Sequence, residues 1–168
     1  SVLKVFKDKK HVFVLNKNYS NDSNLRSLFL GFDKIINEKN FNINEGILVI
    51  EADSFFHKKL LEKFVKHIKL IDSSKDFINK ICWTTKGNAF SNDFGGFIDP
   101  FENTTNSKYG DVKNIYIKKK PNNSTTMKMY GITWFNKYAA IDWHLRAKSF
   151  LRNKKSSDLT GYFHQIIF

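Results

Sequence analysis

Two carboxylates flank a single alanine in Glu51-Ala52-Asp53, directly after four aliphatic residues, Ile47 to Ile50. Carboxylate oxygens are hard ligands, suited to manganese or magnesium. A cation held by Asp53 would neutralise a diphosphate and stabilise charge on a leaving phosphate. The competing reading is that Asp53 caps the helix that follows while Glu51 faces water, because helix N-termini favour acidic side chains. Asp93, Asp99 and Glu102 lie in the stretch SNDFGGFIDPFEN. They are candidate active-site acids on a lid hinged at Gly95-Gly96, or solvated loop acids. Asp111 and Lys113 have the acid-x-Lys spacing of a metal-dependent nuclease, with Asp99 upstream. His11, His57, His67, His144 and His164 do not form a metal-spacing cluster. His144 with Asp142 reads as an acid/base pair or as a surface pair on a helix. No Ser or Cys sits in a nucleophile-elbow context, so covalent catalysis has no support in the sequence.

These residues need elements to position them. Ile47 to Ile50 reads as a strand covered on both faces, in the middle of an α/β sheet. Ser54 is a good N-cap, and Phe56, Leu60, Leu61, Phe64, Val65 and Ile68 recur at helical spacing to about Leu70. Carboxylates at the carboxyl end of a central strand sit where open α/β sheets bind ligands. Upstream, His11 to Asn16 reads as a short strand. After a polar turn, with Asp22 or Ser23 able to cap, Leu25, Leu28, Phe29, Phe32, Ile35 and Ile36 define an amphipathic helix. Phe77 to Thr85 is a second buried strand, and Lys86 to Lys108 is a long aperiodic loop. Val112 to Lys118 alternates as an exposed strand, Lys119 to Thr126 turns around Pro121, and Met129 to Phe135 is a strand. A helix follows from Asn136 to about Leu151, and the tail Lys154 to Phe168 is expected to dock. Strand–helix alternation followed by mixed elements predicts an α/β fold with a mixed central sheet flanked by helices. Residues 1–168 are expected to form a single domain.

A hydrophobic share of 41% with 17 Phe supports a globular chain. The lone Cys82 excludes an internal disulfide and a cysteine-based zinc cluster. No segment approaches the roughly 18 consecutive apolar residues of a membrane span. The start lacks the apolar core of a signal peptide; it also lacks Met, which leaves a removed leader or a larger parent open. The net charge of +12 invites nucleic acid as a partner. Yet the basic residues are Lys except for Arg26, Arg146 and Arg152, and the joint excess of Lys, Asn, Ile and Phe is that of an AT-rich coding sequence. Dedicated nucleic-acid surfaces favour Arg. The alternative to an enzyme is therefore a basic, ribosomal-type RNA-binding protein using Lys118 to Lys120 and Lys154-Lys155 on phosphates.

The run GILVIEADSFFHKKLLEKF resembles the signature of metal-dependent glycosyltransferases of the A fold, in which a hydrophobic strand ends on an acidic motif and an aromatic-rich helix follows. The most similar pattern is that of the β-1,2-N-acetylglucosaminyltransferase I family. Cys82-Trp83-Thr84-Thr85 with Gly87-Asn88-Ala89 is similar to that family's next strand and loop, and Tyr130 to Phe135 (YGITWF) to its later Gly-Trp segment. The resemblance covers roughly residues 25 to 150. It implies a glycosyltransferase-A-like fold, a UDP-sugar donor, a glycan or protein acceptor, and Mn2+ or Mg2+. It gives Asp53 the metal-binding position and Glu51 the acidic position that faces the donor. Asp142 falls in the stretch comparable to that of the family's catalytic base. The middle acidic position, which helps hold the donor's ribose in that family, is Ala52 here. The family also has one or two strand–helix units before this region, which shape its uridine pocket; only 50 residues precede Glu51 here, which implies a curtailed nucleotide site.

Overall fold

A computed structural model of the chain describes residues 12–17, 24–39, 41–52, 55–73, 75, 77–88, 94–100, 112–119 and 126–153. The described elements are α1 (Asn24–Asn37), a 3-10 turn (Ile43–Glu45), β1 (Ile47–Ile50), α2 (Lys58–Ser73), β2 (Ile81–Asn88), β3 (Phe94–Pro100), β4 (Val112–Lys119), β5 (Met127–Phe135) and α3 (Lys137–Asn153). The fold is mixed α/β, with three helices and a five-stranded sheet.

β5 is the organising strand. β2 runs along one of its edges from Phe135 to Met127. β1 takes the other edge from Phe135 to Ile132, and β3 takes that same edge at Lys128 and Met127. β4 lies outside β3. Every one of these pairings is antiparallel, which corrects the expectation of a mixed sheet. β1 and β2 do run in the same direction with α2 between them, as the strand–helix alternation suggests. The antiparallel β5 is inserted between the two, so they never pair directly.

Strand alternation sorts the side chains into two cores. Ile47, Val49, Ile81 and Phe135 point to one face and meet α1 and α3 through Leu25, Phe32, Ala139, Ala140, Trp143 and Ala147. The Phe32 ring meets Phe135 edge-on at 5.2 Å and Trp143 at 4.7 Å. The small Ala139, Ala140 and Ala147 let α3 approach closely enough for Trp143 to be fully buried. Cys82, Ile132 and Trp134 point to the other face and meet Phe64 and Ile68 of α2. Burial there pushes the Cys82 thiol up to about 12, so it stays protonated and unreactive.

Three junctions lock one end of this arrangement. Gly46 enters β1 at φ 83°, and a Cβ there would stand 2.3 Å from the Phe135 carbonyl oxygen and 2.6 Å from Trp134 Nε1. That indole N–H donates to the Glu45 carbonyl at 3.2 Å. Asn136 caps α3 by accepting from Ala139 N–H at 2.9 Å. The same buried amide accepts from Lys80 N–H at 3.1 Å and donates to the Ile78 carbonyl at 2.7 Å, joining the start of β2 to the end of β5. Lys80 Nζ in turn donates to the Ile71 and Asp72 carbonyls, placing a cation at the C-terminus of α2 where the helix dipole favours it.

Several expectations change. β1 pairs on one side only among the described residues, so it is an edge strand rather than a central one. Residues 12–16 form no strand, because no ladder receives them. α2 starts at Lys58 rather than just after Ser54; the His57 ring Nδ1 accepts from Lys59 N–H at 3.2 Å and acts as its cap. The long loop from Lys86 to Lys108 contains the end of β2 and all of β3, so Gly95-Gly96 pairs with Lys118 and Ile117 instead of forming a hinge. The tail from Lys154, together with Asp22, Ser23, Ser54 and the turn around Pro121, lies outside the described residues.

Candidate functional site

The most irregular point of the sheet is the middle of β5. Trp83 pairs with Thr133 and Thr85 with Met129, so Tyr130, Gly131 and Ile132 stand against Thr84 alone. Two extra residues on one strand cannot keep the pleat, and a positive φ absorbs them; Gly131 adopts φ 54°. Thr84 repairs the ladder with its side chain: the buried hydroxyl donates to the Tyr130 carbonyl and lies 3.5 Å from the Ile132 carbonyl.

Glu51 arrives at this bulge from the other edge. Its N–H donates to the Gly131 carbonyl at 2.8 Å, the last bond of the β1–β5 ladder. The chain then turns away at the exposed Ala52. Beyond the turn Phe56 packs edge-on against Tyr130, ring centroids 5.8 Å apart. The site is thus built from the carboxyl end of β1, the bulge of β5 and Thr84 of β2, with the aromatic pair alongside. Sequence reasoning singled out Glu51 but missed Gly131, Thr84 and Tyr130 as parts of one site. A glycine inside a strand pattern was the available signal, since it marks bulges and close backbone approach.

Of the other sequence candidates, Asp53 lies outside the described residues. Asp142 lies on α3, where its carboxylate accepts from Arg146 Nε at 2.9 Å, both side chains partly exposed. His144 does not pair with Asp142. Its buried ring lies flat on Phe29, with centroids 5.1 Å apart, and its Nε2 meets Asp33 Oδ1 at 2.8 Å across the α1–α3 contact. Asp93, Glu102 and Asp111 lie outside the described residues.

Asp99 is a buried carboxylate on β3, near the far end of the sheet. Thr126 Oγ1 donates to one of its oxygens at 2.6 Å and Tyr116 Oη to the other at 2.8 Å. The hydrogen bond to Asp99 raises the Tyr116 pKa above its ordinary value. Lys113 is the unpaired residue of β4 at the register shift between Asp99, which faces Asn114, and Pro100, which faces Val112, so strand alternation does not fix the face it takes. Among the described residues no three His, Cys, Asp or Glu side chains gather into a group that could hold a metal ion by themselves. Also among them, no helix is long and apolar enough to cross a membrane.

No family model matches the chain, and no curated protein or solved structure matches it.

Proposed function

We propose that this chain is a metal-dependent glycosyltransferase domain of glycosyltransferase-A-like arrangement, acting on a nucleotide-sugar donor, with UDP as the nucleotide. The observation that supports the reading is adjacency. Three separate segments carry the sequence resemblance: Gly46 to Phe64, Cys82 to Ala89, and Tyr130 to Phe135. The strand parts of the three lie in β1, β2 and β5, which are neighbours meeting in one row at Val49, Thr133 and Trp83. Chance matches scattered over a chain have no reason to assemble side by side around the acidic strand end.

On this reading the donor binds beyond the carboxyl end of β1, beside the β5 bulge. Asp53 holds the cation, and Glu51, fixed by its backbone bond to Gly131, faces the donor. Hard carboxylate oxygens suit Mn2+ or Mg2+, which commonly take one or two carboxylates and complete their shell with phosphate and water. Once bound, the cation supplies charge neutralisation for the departing diphosphate. The acceptor hydroxyl oxygen bonds to the anomeric carbon as the bond from that carbon to the diphosphate oxygen breaks. Asp142, or an acid from the segment after Asn88, takes the hydroxyl proton. For Asp142 this requires the carboxylate to exchange its Arg146 partner for the acceptor.

The experiment is a calorimetric titration of UDP and of UDP-N-acetylglucosamine, with and without Mn2+, into wild type and Asp53→Ala. The proposal expects heat only with Mn2+, lost in the variant. A folded protein giving no heat in any condition rejects it, and an RNA titration with its salt dependence then tests the basic surface.

A further inference from the structure

Among the described residues the sheet has open outer edges at β1, β2 and β4. A bare edge is a template for another strand, and proteins guard such edges with charge, bulges or proline. β4 carries Lys113, Lys118 and Lys119 in its sequence. β2 carries Lys86 and two register shifts. β1 has no such guard, since Ile47–Ile50 is uncharged and regular throughout its pairing.

The ladder sets which groups face that open edge. Glu51 bonds Gly131, so Ile47, Val49 and Glu51 turn their backbone groups toward β5, and Leu48 and Ile50 turn theirs outward. The side chains of Leu48 and Ile50 share the α2 face and remain 41% and 49% exposed. The same chain carries a strand-forming segment that lacks a sheet. Val12, Phe13, Val14 and Leu15 are 38%, 82%, 42% and 75% exposed, the alternation of a strand with one bare apolar face. The segment is anchored to α1 by Asn16 Nδ2, which donates to Ser27 Oγ at 3.0 Å.

We propose that the chain forms a symmetric dimer in which Val12–Leu15 of each copy adds as a strand to the outer edge of β1 in the other. Phe13 and Leu15 then lie beside Leu48 and Ile50, extending one apolar row over the α2 face. The outward backbone groups of Leu48 and Ile50 gain ladder partners. The exchange is reciprocal and closes on itself, as a twofold assembly requires.

The test is the solution mass of the full chain by sedimentation, together with amide hydrogen exchange at Leu48 and Ile50. The expected result is a dimer with both amides slowed at least tenfold relative to Phe13→Asp. Phe13→Asp and Ile50→Lys should each yield a folded monomer at the same concentration. Phe13 contributes nothing to either core, so loss of its side chain reads the interface rather than the fold. A wild-type monomer overturns the proposal, whether its Leu48 and Ile50 amides are open or covered by its own segment. A dimer that survives both substitutions overturns it too.

Discussion

The two halves of β5 are built on different terms. From Thr133 to Phe135 both neighbours keep a single register, and Trp134 and Phe135 are buried beneath helices on opposite faces. From Met127 to Ile132 the register slips, a glycine takes a positive φ, Tyr130 is partly exposed, and the second edge passes from β1 to β3. Gly46, Lys80 and Asn136, which tie helices to strands, all belong to the regular end. Glu51, Thr84 and Tyr130 belong to the irregular one. Stability and candidate chemistry are thus separated along one strand, and substitutions at its two ends should behave differently.

The largest effect is expected at Gly46→Ala. The added Cβ meets backbone that cannot move without opening the β1–β5 pair, in a φ region that strains any L side chain. A loss on the order of 4 kcal/mol or more in urea unfolding is expected, or no folded protein at all. A loss below about 1 kcal/mol would mean that the regular end is not rigid. Asn136→Ala removes three hydrogen bonds at one buried junction. At about 1 kcal/mol for each, its cost is about 3 kcal/mol. Asn136→Asp keeps the acceptor for Lys80 and Ala139 but not the donor to Ile78, and should cost less.

At the irregular end, the positive φ of Gly131 costs Gly131→Ala about 1–2 kcal/mol. Its sharper signature is functional, since UDP binding should weaken more than stability falls. Equal losses in both would erase the distinction between the halves. Asp142→Asn breaks a partly exposed ion pair one helical turn long, worth about 0.5 kcal/mol in unfolding experiments. A fall in transfer rate far beyond that stability change would support Asp142 as the base.

The smallest effect at neutral pH lies at Asp99 and Tyr116. Because its folded pKa is raised, Tyr116 contributes stability that is intact below its unfolded value of about 10 and lost as pH rises through the folded one. Ultraviolet titration of phenolate should show a late-titrating tyrosine, which Asp99→Asn returns toward the ordinary range. A tyrosine that already titrates normally in wild type would remove the contact.

Much of the scaffold was legible in the sequence. The apolar spacing of Leu25 to Ile36 and of Leu60 to Ile68 became α1 and α2, and Asn136 before an apolar-periodic run marked the start of α3. Edge or centre was not legible for β1, because four aliphatic residues look the same in either place. β3 was hidden because Gly95, Gly96, Asp99 and Pro100 break the apolar pattern. Asp99 is accommodated by Thr126 and Tyr116, whose proximity only the sheet creates. The site was half legible: Glu51 ends a hydrophobic run, whereas the bulge that receives it depends on a mismatch between two distant strands.

The central claim is that donor and metal gather at the bulged end of β5. Mn2+ with UDP, added to nitrogen-15-labelled protein, tests it directly through paramagnetic broadening. The amides of Glu51, Ala52 and Gly131 should broaden first, and Asp53→Ala should abolish the pattern. Broadening centred on Asp99 and Tyr116, or spread evenly over the chain, would contradict it.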